Sequence, residues 1–303
     1  MLKTIKELKI GNQDIVPVLV KSVDEAMSKT GNKYQMLHIV DKEQNATLVM
    51  NFNGGIDVKC PVVMALTLDC NEYKVGASYT LVNGSIIENA SILEYLPKSD
   101  VDVSIVWKSI IEYIGELPKS LNNIVCKCIS DYKDKFKSYP MDSPYFNKTN
   151  GLIDATYKLM RMSDAMSTIL GVNKGLMIAG AALYYLPYVD MLNEVGEPTT
   201  SYVLLGTSAI LMPLYKSCVD MGIDINTNED ARLLAHILLS RFNGGIDASI
   251  PEAEALKYLD GALQRTATCI NNLGTTEVGT MVAGSATTFK PRYLYKAGGE
   301  IDG

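Results

Sequence analysis

The stretch SYTLVNGSIIENASILEYLPKSDVDVSIVWKSIIEYIGEL, residues 78–117, changes period in its middle. Up to about Glu88, apolar and polar residues alternate as on a half-buried strand. Beyond Pro97 the apolar residues recur every three or four positions, behind a Ser or Asp suited to capping a helix. The chain therefore reads as α+β in two parts, β before about residue 97 and helical after it.

Upstream, the runs VPVLVKSV, YQMLHIV and ATLVMNF are separated by KTGNK and DKEQN, and YKVGA precedes SYTLVNGSIIE. Short strands at this spacing suggest a small five-stranded barrel. In SKTGNKYQM, Gly31 and Asn32 supply the positive φ of a tight hairpin turn, and Tyr34 opens the next strand. The pairing of NFNGGIDVKCPVV stays open. Downstream, helices are expected at about 105–116, 119–136, 150–169, 173–184, 200–221, 228–241 and 252–273. The tail after Gly274 is rich in Gly, Thr and Ser, has no period and reads as an arm.

At 303 residues, with 47% hydrophobic and 20% charged, the chain can bury two modest cores. Its formal net charge of −6 argues against nucleic-acid binding by bulk phosphate neutralisation. Any such contact has to be local. The six cysteines are scattered without the spacing of a zinc knuckle, as inert thiols of a reducing compartment would be. The N-terminus has no signal-peptide core, and GLMIAGAALYYLPYV is too short and interrupted for a membrane span. A cytoplasmic protein with no membrane contact is expected.

Several stretches carry a resemblance. VKSVDEAMSKTGNKYQMLHIVDKEQNATLVMNF (20–52), NGLIDATYKLMRMSDAM (150–166), AGAALYYLPYVDML (179–192), VLLGTSAILM (203–212) and LLAHILLSRFNGGIDASIPEAEALKYLDGAL (233–263) follow one another in the order and wording of one family. The chain resembles the YhaM-type 3′-to-5′ exoribonucleases, in which an N-terminal OB-fold precedes a helical HD phosphohydrolase domain. The resemblance implies an OB-fold at 1–97, a helical linker at 98–145, an HD-like domain at 146–275 and a tail at 276–303.

An HD site needs imidazole and carboxylate ligands, because divalent metals must activate water and neutralise the phosphate being cleaved. Against the family's pattern, the first histidine is replaced by Ala155 and the His-Asp pair by Tyr184 and Tyr185. The histidine of the third motif is replaced by Thr207, and the paired histidines by Arg241 and Phe242. His236 and Asp260 are what the match retains. The resemblance thus implies a vestigial, pseudoenzyme site formed by Ala155, Tyr184, Tyr185, Thr207, His236, Arg241, Phe242 and Asp260, with no metal, no cofactor and no catalytic residue. Independently of any family, two histidines in the whole chain cannot build a multi-histidine site. Tyr184, Tyr185 and Tyr188 are expected to fill the space of metal and ligands.

In the first part, Lys21, Lys29, Lys33, Tyr34 and Phe52 are the candidates for single-strand binding, which pairs aromatic platforms with a basic groove. Nine Lys against eleven Asp plus Glu before residue 96 leave this part slightly acidic. The expected function is binding of a single-stranded nucleic acid or a protein partner, as a homo-oligomer. One alternative is a metal-dependent exonuclease or phosphohydrolase that recruits Asp154, Asp190, Glu194 and Asp260. Another is a structural or inhibitory subunit.

Overall fold

The computed structural model describes residues 3–28, 30–73, 76–141, 143, 145–241, 246–274, 277–278, 281–283 and 293–295. The chain divides into two compact units, Met1–Pro97 and Lys98–Gly303.

The first unit is a closed barrel of β1 (Gln13–Met27), β2 (Lys33–Val40), β3 (Ala46–Asn51), β4 (Val62–Tyr73) and β5 (Gly76–Ile86), in the order β1-β2-β3-β5-β4. β1 pairs antiparallel with both β2 and β4, and a short parallel pairing of β3 with β5 closes the barrel, the arrangement of an OB-fold. Alternation fills the interior: Val16, Val18 and Val20 of β1 meet Leu37 and Ile39 of β2, Val49 of β3, and Leu66 and Leu68 of β4. The segment 51–63, whose pairing the sequence leaves open, resolves into the last residue of β3, a loop and the start of β4. A bulge between Val20 and Ser22 leaves Lys21 outside the β1–β2 ladder with its side chain exposed.

One buried carboxylate ties the barrel's N-terminal segment to the β2–β3 turn. Asp41 is 1% exposed and accepts from the Ile5 amide at 2.8 Å, the Glu43 amide at 3.0 Å and the Asn45 amide at 2.9 Å. The Asn45 side chain donates to both of its oxygens.

The second unit is helical: α1 (Val103–Gly115), α2 (Lys119–Asp131), α3 (Lys133–Ser138), α4 (Gly151–Leu170), α5 (Lys174–Tyr184), α6 (Tyr188–Met191), α7 (Thr200–Leu205), α8 (Met212–Asp220), α9 (Glu229–Ser240) and α10 (Pro251–Leu273). α5 is central, buried from Leu176 to Tyr184. Gly180 explains how closely its neighbours approach: a Cβ there would stand 2.8 Å from Leu256 Cδ1 of α10 and 2.9 Å from Ile237 Cδ1 of α9. Residues 98–145 supply Val106, Ile110, Ile124, Cys128 and Phe136 to the same core.

Two expected helices are broken. The span 119–136 divides at Tyr132, whose φ of −118° and ψ of 16° leave the helical region. The span 200–221 divides at Gly206, whose φ of 56° ends α7 before a 3-10 turn over Gly206–Leu211 and the start of α8. The tail also departs from a featureless arm, since β6 (Met281–Ala283) pairs antiparallel with β7 (Tyr293–Tyr295). Among the described residues no helix is long and apolar enough to cross a membrane.

Asp41→Ala strands the Ile5 and Asn45 amides in the barrel wall, so chemical denaturation is expected to show a loss of about 1–3 kcal/mol. An unchanged midpoint would mean that water replaces the carboxylate at no cost.

Candidate functional site

Two places concentrate functional side chains, one in each unit. On the barrel, β2 and β3 pair Met36 with Met50 and His38 with Leu48, and the same outward row begins with Tyr34. Phe52 follows the last β3 residue, and its ring centroid lies 5.4 Å from that of Tyr34 with the planes tilted by 33°. Phe52 is 54% exposed and Tyr34 half-buried, so the pair presents aromatic surface to solvent.

The position of Phe52 is held from beneath. Asn51 is 2% exposed; its side-chain amide donates to Gln35 Oε1 at 2.9 Å, and its Oδ1 accepts from the Asn53 amide at 3.2 Å. Gln35 in turn donates to the Ile56 carbonyl at 3.1 Å. The loop after Phe52 is thereby fastened to β2. Lys33 is exposed at the strand end next to Tyr34. Lys21 stands apart from the pair, since the bulge that carries it lies opposite Ile39 and His38 whereas Tyr34 faces Ala26. Lys29 lies outside the described residues. His38 Nε2 is 2.8 Å from Asp24 Oδ2, a cross-strand contact on the barrel surface.

In the helical unit, α5 and α6 deliver three tyrosines to one guanidinium. Arg241, at the end of α9, has its Cζ 4.8 Å from the ring centroid of Tyr184, 5.1 Å from that of Tyr185 and 4.7 Å from that of Tyr188. Its Nη1 donates to the Tyr184 carbonyl at 2.6 Å. The Tyr185 hydroxyl donates to Asp260 Oδ1 at 2.5 Å, while Gln264 Nε2 donates to that hydroxyl at 3.2 Å and to Asp260 Oδ1 at 3.3 Å. Ser143 Oγ completes the chain with a 2.6 Å bond to Gln264 Oε1.

The electrostatics follow from this enclosure. Burial pushes the Tyr184 phenol above its ordinary range, although Arg241 pulls the other way. Burial, reinforced by the Asp260 charge, holds the Tyr185 phenol well above its usual value of 10.0. Burial opposes the charge on Arg241, but Tyr188, Asp260, Tyr184 and Tyr185 outweigh it and raise its pKa. The arrangement is a neutral phenol donating to a carboxylate beside a permanent cation.

Of the residues expected to meet, Tyr184, Tyr185, Arg241 and Asp260 do so. Ala155 is fully buried on α4, in the same hydrophobic core as Tyr184, Tyr185 and Tyr188. His236 is turned to another task, its Nε2 accepting from the Ser249 amide at 2.8 Å. Thr207 falls in the 3-10 turn after α7, and Phe242 lies outside the described residues. Gln264 and Ser143 were missed; Gln264 is legible as the residue one turn beyond Asp260 on the same face of α10.

The other carboxylates are engaged separately. Asp154 accepts from Ser99 Oγ at 2.8 Å and pairs with Lys158 at 2.8 Å. Asp190 accepts from the Tyr132 hydroxyl at 3.1 Å. Glu194 is exposed. Among the described residues no group of three or more His, Cys, Asp or Glu side chains could hold a metal ion.

No protein-family model matches this chain. Over 283 residues, 86% of this chain and 85% of its counterpart, it is 24% identical to a 3′-5′ exoribonuclease YhaM from Geobacillus sp. (strain WCH70). A solution structure of the second OB-fold domain of replication protein A from Methanococcus maripaludis matches 30% of this chain and 99% of its own, at 20% identity and a TM-score of 0.24.

The raised Tyr185 pKa has a sign that can be tested. Above pH 10.0 an unfolded tyrosine releases its proton while Tyr185 keeps it, so the native state binds more protons and stability falls as pH rises. Denaturation midpoints measured upward from pH 10.0 are expected to fall less steeply in Tyr185→Phe than in the wild type. Equal slopes would mean that the phenol ionises freely in the folded protein.

Proposed function

We propose that this chain binds single-stranded nucleic acid on the β2–β3 face of its barrel, and that its helical unit is a degenerate HD domain that does not hydrolyse phosphodiesters. The observation that carries the first half is the exposed Tyr34–Phe52 pair, at 5.4 Å, on the face with which OB-folds hold oligonucleotides. The exoribonuclease activity named for the YhaM relative supports the same class of ligand. Tyr34→Ala is expected to weaken binding of a labelled single strand by about 1–3 kcal/mol if a base stacks on the ring. Unchanged affinity would remove the barrel face from the reading and favour a protein partner.

The second half is supported by what occupies the positions at which the resemblance puts metal ligands. Tyr184 and Tyr185 stand in place of the His-Asp pair, and Arg241 in place of a paired histidine contributes a fixed positive charge. Asp260 is already bonded to Tyr185 and Gln264. His38 and His236 belong to different units and have separate partners, Asp24 and the Ser249 amide. A hydrolytic site needs a metal-activated water and a clamp on the phosphate. One carboxylate bonded in this way supplies neither.

The competing reading, a metal-dependent exonuclease using substituted carboxylates, is tested by incubating purified wild type and Asp260→Ala with RNA and DNA in magnesium or manganese. No degradation by either protein is expected. Metal-dependent degradation that disappears in Asp260→Ala would overturn the proposal, while equal activity in both would identify a contaminating nuclease.

A further inference from the structure

The chain has one tryptophan, and it lies under lysines. Trp107, on α1, is half-buried; Lys137 Nζ stands 4.2 Å and Lys133 Nζ 5.8 Å from its ring centroid. The two lysines are one helical turn apart on α3, which puts them on the same side of it. Phe136, between them in sequence and fully buried, meets the tryptophan edge-on at 6.4 Å and fixes the ring.

Among the described residues, neither ammonium is paired with a carboxylate. Of the nearby acids, Asp131 pairs with Lys127 at 2.5 Å, Asp190 takes the Tyr132 hydroxyl and Lys135, and Asp134 is exposed on α3 without an ion pair to either lysine. Among the described residues no Asp or Glu lies within ion-pair distance of Lys133, Lys137 or Lys148. In a chain with a formal net charge of −6, lysines resting on aromatic faces are poised for an anion, because no ion pair has to be broken to release them.

The surface extends along the chain. Lys148 Nζ lies 4.2 Å over the Tyr145 ring, and this segment is joined to α3 by two bonds from Asn150, its side-chain amide to the Lys137 carbonyl at 2.7 Å and its backbone amide to the Ser138 carbonyl at 3.0 Å. Lys98, exposed, bridges to Thr149 of the same segment. Interleaved cations and rings without carboxylate partners are the ingredients of a single-strand track.

We propose that this lysine–aromatic surface of α1, α3 and the segment before α4 is a second contact site for single-stranded nucleic acid, separate from the barrel pair. It rests on the reading that the chain binds such strands. Its occupant is a polyanion carrying bases, since phosphates meet the ammoniums and bases meet the rings.

Trp107 reports on the site directly. The full-length chain is titrated with a fluorescein-labelled oligouridylate, following both probe anisotropy and tryptophan emission excited where tyrosine does not absorb. Quenching of Trp107 in step with the anisotropy rise is expected. Lys133→Gln/Lys137→Gln, checked for fold by circular dichroism, is expected to bind about three- to tenfold more weakly and to flatten the log–log salt dependence by about 1.4.

Binding that is weakened by Tyr34→Ala but leaves Trp107 emission and the lysine variant unaffected would overturn this proposal and leave the barrel reading standing. A response of Trp107 that depends on the lysines, with no effect of Tyr34→Ala, would leave this proposal standing and overturn the barrel reading. No binding even at low salt would overturn both. Equal quenching by polyglutamate would also overturn it, identifying a surface for acidic protein chains.

Discussion

A guanidinium drawn out of water has to be given partners, and the helical unit is arranged to supply them to one that is half-buried. Water stabilises that charge strongly, and any site that excludes water must replace the loss with hydrogen bonds, facing charges or aromatic quadrupoles. Arg241 receives three tyrosine faces, a backbone carbonyl and the field of Asp260. Those groups come from α5 and the residue after it, α6 and α10, so satisfying one charge fixes the end of α9 against three other helices. The close approach at Gly180 brings α9 and α10 against the same helix from which Tyr184 projects. Packing and charge therefore demand the same arrangement.

The barrel solves the equivalent problem with amides. Buried Asp41 and buried Asn51 each convert a loop, which would otherwise wander, into a fixed extension of the sheet. The consequence for function lies with Asn51. Its small amide sits inside and fastens the loop, and the aromatic surface is carried by the next residue, Phe52, which faces out beside Tyr34. Successive residues of an extended chain point to opposite faces, so the amide goes in and the ring goes out.

The architecture was legible because period is a local property. The change near Pro97 appears in any window of a dozen residues, and it falls where the two units divide. The helix breaks at Tyr132 and Gly206 were not legible, because apolar spacing continues across both and only backbone dihedrals reveal the turn. At the candidate site, the meeting of Tyr184, Tyr185, Arg241 and Asp260 was readable only through the spacing that carries the resemblance, since no local pattern links residues this far apart. Ser143, and what Gln264 does from its legible place one turn beyond Asp260, could not be read for a different reason. Their roles arise from the Tyr185–Asp260 bond, and that bond exists only once the helices have packed.

Net charge misleads at the scale that matters for binding. At physiological ionic strength the Debye length is about 8 Å, so a ligand at one surface feels the charges next to it and little of the rest. A total of −6 is compatible with a cationic track wherever acids are tied up elsewhere. Around α3, Asp131 and Asp190 are engaged with Lys127, Tyr132 and Lys135, and exposed Asp134 of α3 itself forms no ion pair with Lys133 or Lys137, which rest on an uncharged ring. A ring attracts an ammonium through its quadrupole without cancelling its charge, whereas a carboxylate cancels it. Two surfaces with equal numbers of lysines can therefore differ in their field, and the difference is set by what each lysine rests upon rather than by the count.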